Sequence, residues 1–197
     1  EFLENYVPVR MEINETIVDT GGPGFFRGGN GLKLGYRFLE PGEISIHDDR
    51  WLTYPYGVNG GLPGGRSWKQ LIRKDNTTEM LPSKCDHVKV EEGDLFLFCT
   101  WGGGGWGDPY KRDAEKVAQE VRRGLVSRTG AERYGVLLND DLTVDAKATE
   151  DFRAKLSEER GEPQMFNRGF DSIEELKARC FEETGLHPPA DPVFPEH

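Results

Sequence analysis

Along the first hundred residues, apolar and polar positions alternate with period two. Val7, Val9, Met11 and Ile13 fall on one side, and Pro8, Arg10, Glu12 and Asn14 on the other, which predicts a half-buried strand over 5–17. Pro8 favours an edge or a strand start there. Leu32, Leu34, Tyr36 and Phe38 repeat the pattern, and Glu40-Pro41-Gly42-Glu43 reads as a turn. Ile44 and Ile46 open a further strand that runs into Asp48-Asp49-Arg50-Trp51. Residues 68–73 and 78–81 flank the turn residues Lys74-Asp75-Asn76-Thr77, as a hairpin would. Val88-Lys89-Val90 and 95–100 flank Glu91-Glu92-Gly93-Asp94 in the same way. Leu95-Phe96-Leu97-Phe98-Cys99 is apolar without interruption, so both faces of that strand are expected to be buried. The spacing predicts an antiparallel sheet, sandwich or barrel-like layer.

After Pro109 the period changes. Asp113 is placed to cap a helix over 114–123, with Ala114, Val117, Ala118 and Val121 as its apolar stripe and Gly124 just past its end. A short helix is expected from Ser127 to Tyr134. Val136, Leu137 and Leu138 face Leu142, Thr143 and Val144 across Asn139-Asp140-Asp141, a small hairpin. Asp145 is placed to cap a helix over 146–160 that carries Ala148, Phe152 and Leu156 on one side and ends at Gly161-Glu162-Pro163. Ser172 and Glu175 have capping-box spacing for a last helix to Thr184, with Ile173, Leu176 and Cys180 inward and Gly185 closing it. Pro188, Pro189, Pro192 and Pro195 predict an extended tail. The class is therefore α+β: an antiparallel β-rich N-terminal layer, then short helices, then an extended proline-rich tail. In regions, 1–109 is β-rich with two glycine-rich loops, 110–187 is helical and 188–197 is the tail.

The stretch that divides the two regimes is Thr100-Trp101-Gly102-Gly103-Gly104-Gly105-Trp106-Gly107-Asp108-Pro109. Four consecutive glycines suit neither a strand nor a helix interior, because ordering glycine loses the most backbone entropy. Such a stretch requires a positive φ or a close backbone approach, to a ligand, to a partner chain or to the chain itself. It is not a Walker loop, since no Lys-Ser/Thr pair follows, and it lacks the glycine spacing and parallel unit of a dinucleotide site. Gly102, Gly103, Gly104, Gly105 and Gly107, with Asp108 fixing them, are the candidate substrate or interface loop. A second glycine-rich segment runs from Asp19 to Gly31. Its Arg27 either binds an anionic carboxylate bidentately or pairs inside the fold with Asp19 or Glu15.

The 197 residues carry a net charge of -10, which argues against a nucleic-acid surface and against a polybasic membrane patch. No apolar run is long enough to span a membrane. Cys85, Cys99 and Cys180 are odd in number and widely spaced, so no disulfide or zinc framework is expected, and a cytoplasmic location follows as the expectation. His47-Asp48-Asp49 has metal-compatible side chains, but strand neighbours point to opposite faces, so no metal is expected on this chain alone. Cys85-Asp86-His87 does not present the aligned geometry of a nucleophile and its base, and no catalytic residue is assigned. The chain begins at Glu1 in an aromatic-rich segment, and only 36% of it is hydrophobic with 25 glycines. Both features lead to the expectation of a piece of something larger, docked on a partner surface.

Several motifs occur in one order: Asn5-Tyr6-Val7-Pro8-Val9-Arg10; Asp19-Thr20-Gly21-Gly22-Pro23-Gly24 with Arg27-Gly28-Gly29; Leu81-Pro82-Ser83-Lys84; Glu92-Gly93-Asp94; the glycines with Gly107-Asp108-Pro109; Gly124-Leu125-Val126-Ser127; and Tyr134-Gly135-Val136. This series, over about residues 4–150, resembles the C-terminal part of the hydantoinase B/5-oxoprolinase family, which includes subunits of acetone- and acetophenone-type carboxylases. The resemblance implies a portion or small subunit of an ATP-dependent multi-subunit cyclic-amide hydrolase. A ketone carboxylase component and a structural assembly module are the alternatives. It implies a hydantoinase A-type ATPase partner that binds ATP and Mg, the remainder of a B-type subunit, and a cyclic amide or ketone substrate. The family's metal-ligand carboxylates and histidines are expected in the part that precedes the Tyr6–Arg10 strand. Trp101 and Trp106 depart from the family's simpler Pro-Gly-Gly-Gly-Tyr-Gly pattern.

Overall fold

The structure, a computed structural model, describes residues 2–190. Among the described residues nine strands form in chain order: β1 (Val9–Thr16), β2 (Leu32–Phe38), β3 (Gly42–His47), β4 (Gly57–Val58), β5 (Trp68–Ile72), β6 (Thr78–Leu81), β7 (Lys84–Val90), β8 (Leu95–Cys99) and, among the helices, β9 (Phe166–Asn167). The main sheet has the order β1-β2-β8-β5-β6 and is antiparallel throughout. β3 and β7 pair as a separate two-stranded sheet, and β4 pairs with β9.

The β3–β7 ribbon lies against one face of the main sheet. Ile46 and Val90 from the ribbon meet Val9, Phe38, Leu71, Leu81 and Phe96 from the sheet, all buried. Residues directly paired across a ladder share a face, so the partners Leu71 and Phe96 line the core together. β8 is the centre of the sheet, and Leu95, Phe96, Leu97 and Cys99 are all buried, as the uninterrupted apolar run requires.

Two details of the β-layer differ from the expected pattern. The β1–β2 register shifts between Met11 and Ile13, which pair with Tyr36 and Gly35. Tyr36 and Gly35 are neighbours on β2, so the bulge turns Ile13 away from the face that Met11 uses. Ile13 then packs onto Gly35, where a Cβ would sit within 3 Å of its side chain. The turn at 91–94 also joins no hairpin. β7 pairs only with β3, whereas β8 pairs with β2 and β5. The turn therefore carries the chain from one layer to the other. Asp94 holds it: its carboxylate accepts from the Glu91 and Lys74 N–H groups at 3.0 and 3.1 Å and from Arg73 Nη1 at 2.9 Å.

A charged pair is buried beside this core. Lys69 follows the alternation that buries Leu71 and is itself fully buried. Its ammonium pairs with Asp48, donates to Ser67 Oγ at 3.1 Å and lies over the Phe98 ring at 4.9 Å. Burial, the largest influence, lowers its pKa to about 8.

The helical half is built on the three expected caps, Asp113, Asp145 and Ser172, and on a fourth at Ser127. Asp113 accepts from the Glu115 N–H at the start of α1 (Ala114–Arg122), and Ser127 accepts from Gly130 at α2 (Arg128–Ala131). Asp145 accepts from Ala148 at α3 (Ala146–Arg160), and Ser172 accepts from Glu175 at α4 (Ile173–Thr184). Val117, Val126, Ala131, Tyr134 and Val136 make a second buried cluster. The proposed hairpin over 135–144 reduces to one bridge between Leu138 and Val144. Ile173 faces outward at 53% exposure rather than inward, while Leu176 and Cys180 are buried. Pro192 and Pro195 of the expected tail lie outside the described residues.

Candidate functional site

The glycine stretch is the centre of a packed junction of extended segments. The Gly102 and Gly105 N–H groups donate to the Gly65 and Leu62 carbonyls at 3.1 and 2.9 Å. Those of Gly103 and Trp106 donate to the Gly29 and Phe26 carbonyls at 2.8 and 2.9 Å, and Gly107 donates to Val58 at 2.9 Å. Neighbours thus recur every three residues. That is the period of an extended polyproline-II-type chain, not the period of two that a strand shows. In return, the Gly103 carbonyl accepts from Gly22 and the Gly105 carbonyl from Val58, at 2.8 and 2.9 Å. The central segment is therefore enclosed by four others, near 20–24, 26–29, 56–58 and 62–65.

A chain enclosed in this way leaves little room for side chains. A Cβ on Gly102 would fall within 3 Å of the Thr20 carbonyl, on Gly104 within 3 Å of the Tyr56 carbonyl, and on Gly105 within 3 Å of the Pro23 carbonyl. Close approach of the chain to itself explains Gly102, Gly104 and Gly105, whereas at Gly103 the atom nearest a Cβ would be the Gly29 nitrogen at 3.2 Å. The donors of this stretch that reach Gly65, Leu62, Gly29, Phe26 and Val58 do not form a nest for phosphate, so the junction does not fit a nucleotide.

Asp108 closes the stretch. Its carboxylate receives both Nη atoms of Arg160, each at 2.9 Å, and the Tyr110 N–H, also at 2.9 Å. Arg160 stacks over the Tyr110 ring at 4.6 Å. Burial pushes the Asp108 carboxyl upward, but the Arg160 guanidinium and the Tyr110 N–H outweigh it and hold the pKa below its ordinary value. Arg27 is largely buried. Its Nε donates to Glu120 at 3.1 Å, and its Nη1 donates to the Gly28 carbonyl and to Asn30 at 2.8 and 3.0 Å. Glu120 Oε1 also receives Arg112 Nη2 at 2.8 Å. Neither Asp19 nor Glu15 is the partner of Arg27. Asp19 instead accepts from the Ser127 N–H at 2.8 Å, and Glu15 pairs with Lys33.

Leu62 and Pro63 also line a polar groove of about 530 Å³, with Arg133, Gln164, Asn167 and Arg168 among its other lining residues. Arg133 donates to the Asp19 and Pro63 carbonyls at 3.1 and 3.4 Å. Beside it, Arg66 stacks on Tyr54 at 4.3 Å and pairs with Glu183 at 2.7 Å, which ties α4 to the junction. The sequence reading did not single out Arg133, Arg160, Glu120 or this groove. The third glycine segment, Gly60-Gly61-Leu62-Pro63-Gly64-Gly65, was the available signal, because interleaved glycine and proline is the composition of extended packed chains. His47 pairs with Asp86 at 3.1 Å on the surface, apart from the buried Asp48. Among the described residues, no three His, Cys, Asp or Glu side chains converge to hold a metal ion. Among them, too, no helix is long and apolar enough to cross a membrane.

Comparison with known proteins places this architecture. An uncharacterized protein of Methanocaldococcus jannaschii is 34% identical over 157 residues, covering 78% of this chain and 28% of its own length. Caprolactamase subunit beta of Pseudomonas jessenii is 30% identical over 167 residues, covering 78% and 27%. The crystal structure of the ATP-dependent caprolactamase from that organism superposes with a TM-score of 0.65 at 29% identity, over 78% of this chain and 27% of that one. A nucleotide-free acetone carboxylase superposes with the same TM-score over 91% of this chain and 28% of that one, but at 20% identity, which speaks for the fold alone. The chain thus spans little more than a quarter of the length of these relatives. The model of the hydantoinase B/oxoprolinase family matches residues 1–109, more than half of the chain, and the chain belongs to that family of enzymes.

Proposed function

We propose that the chain works as part of the B-type subunit of an ATP-dependent, multi-subunit enzyme that hydrolyses a cyclic amide. The observation that supports this most is the likeness to the caprolactamase in both sequence and fold. ATP and Mg then belong on a hydantoinase A-type ATPase partner, because the Gly102, Gly103, Gly105 and Gly107 donors here are taken by the chain's own carbonyls. ATP bound there supplies the activation of the ring amide. A metal of the B-type subunit belongs to the portion outside this chain.

In this reading, the chain's own residues bound and orient. The loop of Gly102, Gly103, Gly104, Gly105 and Gly107 sits at the substrate or subunit boundary, held in place by Asp108 through Arg160. Arg27 offers an anion contact in exchange for its bond to Glu120.

The test is ATP turnover by the complex purified with this chain, with caprolactam, hydantoin or 5-oxoproline added, with and without bicarbonate. The expected result is ring-opened product and stimulated ATP hydrolysis that needs no bicarbonate. Stimulation only by a ketone with bicarbonate would select the carboxylase alternative. A complex that turns over without this chain would leave it a structural assembly module.

A further inference from the structure

A row of aromatic side chains runs over the junction from the edge of the groove, which Phe166 lines, to Phe25 and Trp106, which stand near Asp108, Lys111 and Glu162. Four chain segments run side by side there. Phe26 pairs with Trp106 through two hydrogen bonds of 2.9 Å, Trp106 bridges to Val58, and Val58 pairs with Phe166 of β9. Directly paired residues share a face, so Phe26, Trp106, Val58 and Phe166 form one row. Tyr56, two residues before Val58, packs on Phe166 with ring centroids 5.9 Å apart. Phe26 lies 5.7 Å from the Trp106 ring and 4.9 Å from Phe25.

The rings make two contacting groups on either side of Val58 and are still open to solvent. Phe26 is 60% exposed, Trp106 48% and Phe166 59%. At about 150–250 Å² per aromatic side chain, the row with Phe25 and Tyr56 leaves on the order of 500 Å² of apolar surface in water. That is the size of the largest patches found on monomers, and most of what one side of a stable interface needs. In a chain of net charge -10, of which 30% is charged, a row of four or more uncharged side chains is not an ordinary solvated face.

We infer that this aromatic row is the surface on which the rest of a B-type subunit docks, through an apolar face of its own. The inference rests on the reading of the chain as part of such a subunit. Two observations choose this occupant. The matched region is only 27% of the caprolactamase chain, so the larger part of that subunit lies outside it. And the row draws Phe26, Val58 and Trp106 from three of the extended segments that the junction brings together, so the surface exists only when the family's glycine motifs have packed.

The experiment expresses the chain with an affinity tag in its source cells and replaces Phe166 with the photo-crosslinker benzoylphenylalanine, or Leu39 at the β2–β3 turn as the control site. A second pair compares the wild type with F26S/W106S. Partners are identified by peptide mapping, and melting curves check that the double variant is folded. The expected result is a crosslink from position 166, but not 39, to a longer B-type chain, with recovery of that chain at least tenfold lower for F26S/W106S. If the wild type and the folded double variant recover the B-type chain equally and position 166 gives no crosslink, the docking surface is wrong while the subunit reading stands. If the wild type recovers no B-type chain, both fall. Crosslinks from position 166 to a second copy of this chain would overturn the assignment in favour of self-association.

Discussion

Asp108 and Arg160 meet as a two-pronged pair, each carboxylate oxygen 2.9 Å from one guanidinium nitrogen, and so join the end of the glycine stretch to the end of α3. The pair is largely buried, with 11% and 23% of the two side chains exposed. Breaking a buried pair by removing one partner leaves the other charge uncompensated. Arg160→Ala is therefore expected to lower the unfolding free energy by about 3 kcal/mol, with Arg160→Lys in between because lysine cannot make the bidentate contact. Urea titration of the two variants checks this; equal midpoints for wild type and Arg160→Ala would show that the pair contributes nothing.

The junction makes a sharper distinction between adjacent glycines. A Cβ on Gly28 would fall within 3 Å of the Gly103 carbonyl, whereas one on Gly29 would meet nothing within 4 Å. Gly28→Ala should cost about 3 kcal/mol or prevent folding, and Gly29→Ala less than about 0.5 kcal/mol. Within the central stretch, Gly103→Ala should be milder than Gly104→Ala, since its nearest atom is the Gly29 nitrogen at 3.2 Å. Thermal melts of the four variants rank them.

Acid should unfold the chain partly through Asp94 and Asp108. At Asp94, burial pushes the pKa up, and the Glu91 N–H, Arg73 and the Lys74 N–H outweigh it, so the folded pKa lies below its ordinary value. Asp108 is depressed as well. A carboxyl depressed in the folded state contributes stability that is present above its unfolded pKa of about 3.9 and is lost as pH falls through the folded pKa. Stability should therefore be flat with respect to these two groups above about pH 5 and should decline below about pH 4. Asp94→Asn is expected to be less stable at neutral pH and to show a shallower acid limb. An unchanged acid limb, followed by circular dichroism, would remove Asp94 from the account.

Glu120 compensates two arginines at once, Arg27 and Arg112, on side chains that are only 13–15% exposed. Glu120→Gln should destabilise the chain by about 3 kcal/mol, and the further removal of Arg112 should add less than the sum of the single changes. A double-mutant cycle measures the coupling. Strict additivity would mean that the two residues do not share a site.

Much of the fold was legible in the residues, and the rest failed for identifiable reasons. Asp113, Asp145 and Ser172 announced their helices because a cap is a local contact, made within three residues. The turn at Gly93-Asp94 was legible as a turn, with Gly93 at φ +94°, yet nothing local tells whether the next strand returns beside the last one. It does not, and that choice is made by the long-range pairing of β8 with β2 and β5. The bulge at Met11–Ile13 was invisible because Ile13 fits the alternation equally well until Gly35 opens a pocket on the other face. In the site, the glycine stretch was found, but its period of three was not, since that period belongs to neighbouring segments and not to the stretch itself. Arg27 was found without its partner, because Glu120 lies on another element, 93 residues further on.

The most direct test of the central claim is native mass spectrometry of the complex isolated through this chain, with peptide mapping of every component. Membership of a B-type subunit predicts an assembly that holds this chain, a longer hydantoinase B-type polypeptide and a hydantoinase A-type ATPase. A folded monomer or a homo-oligomer with neither companion would contradict it.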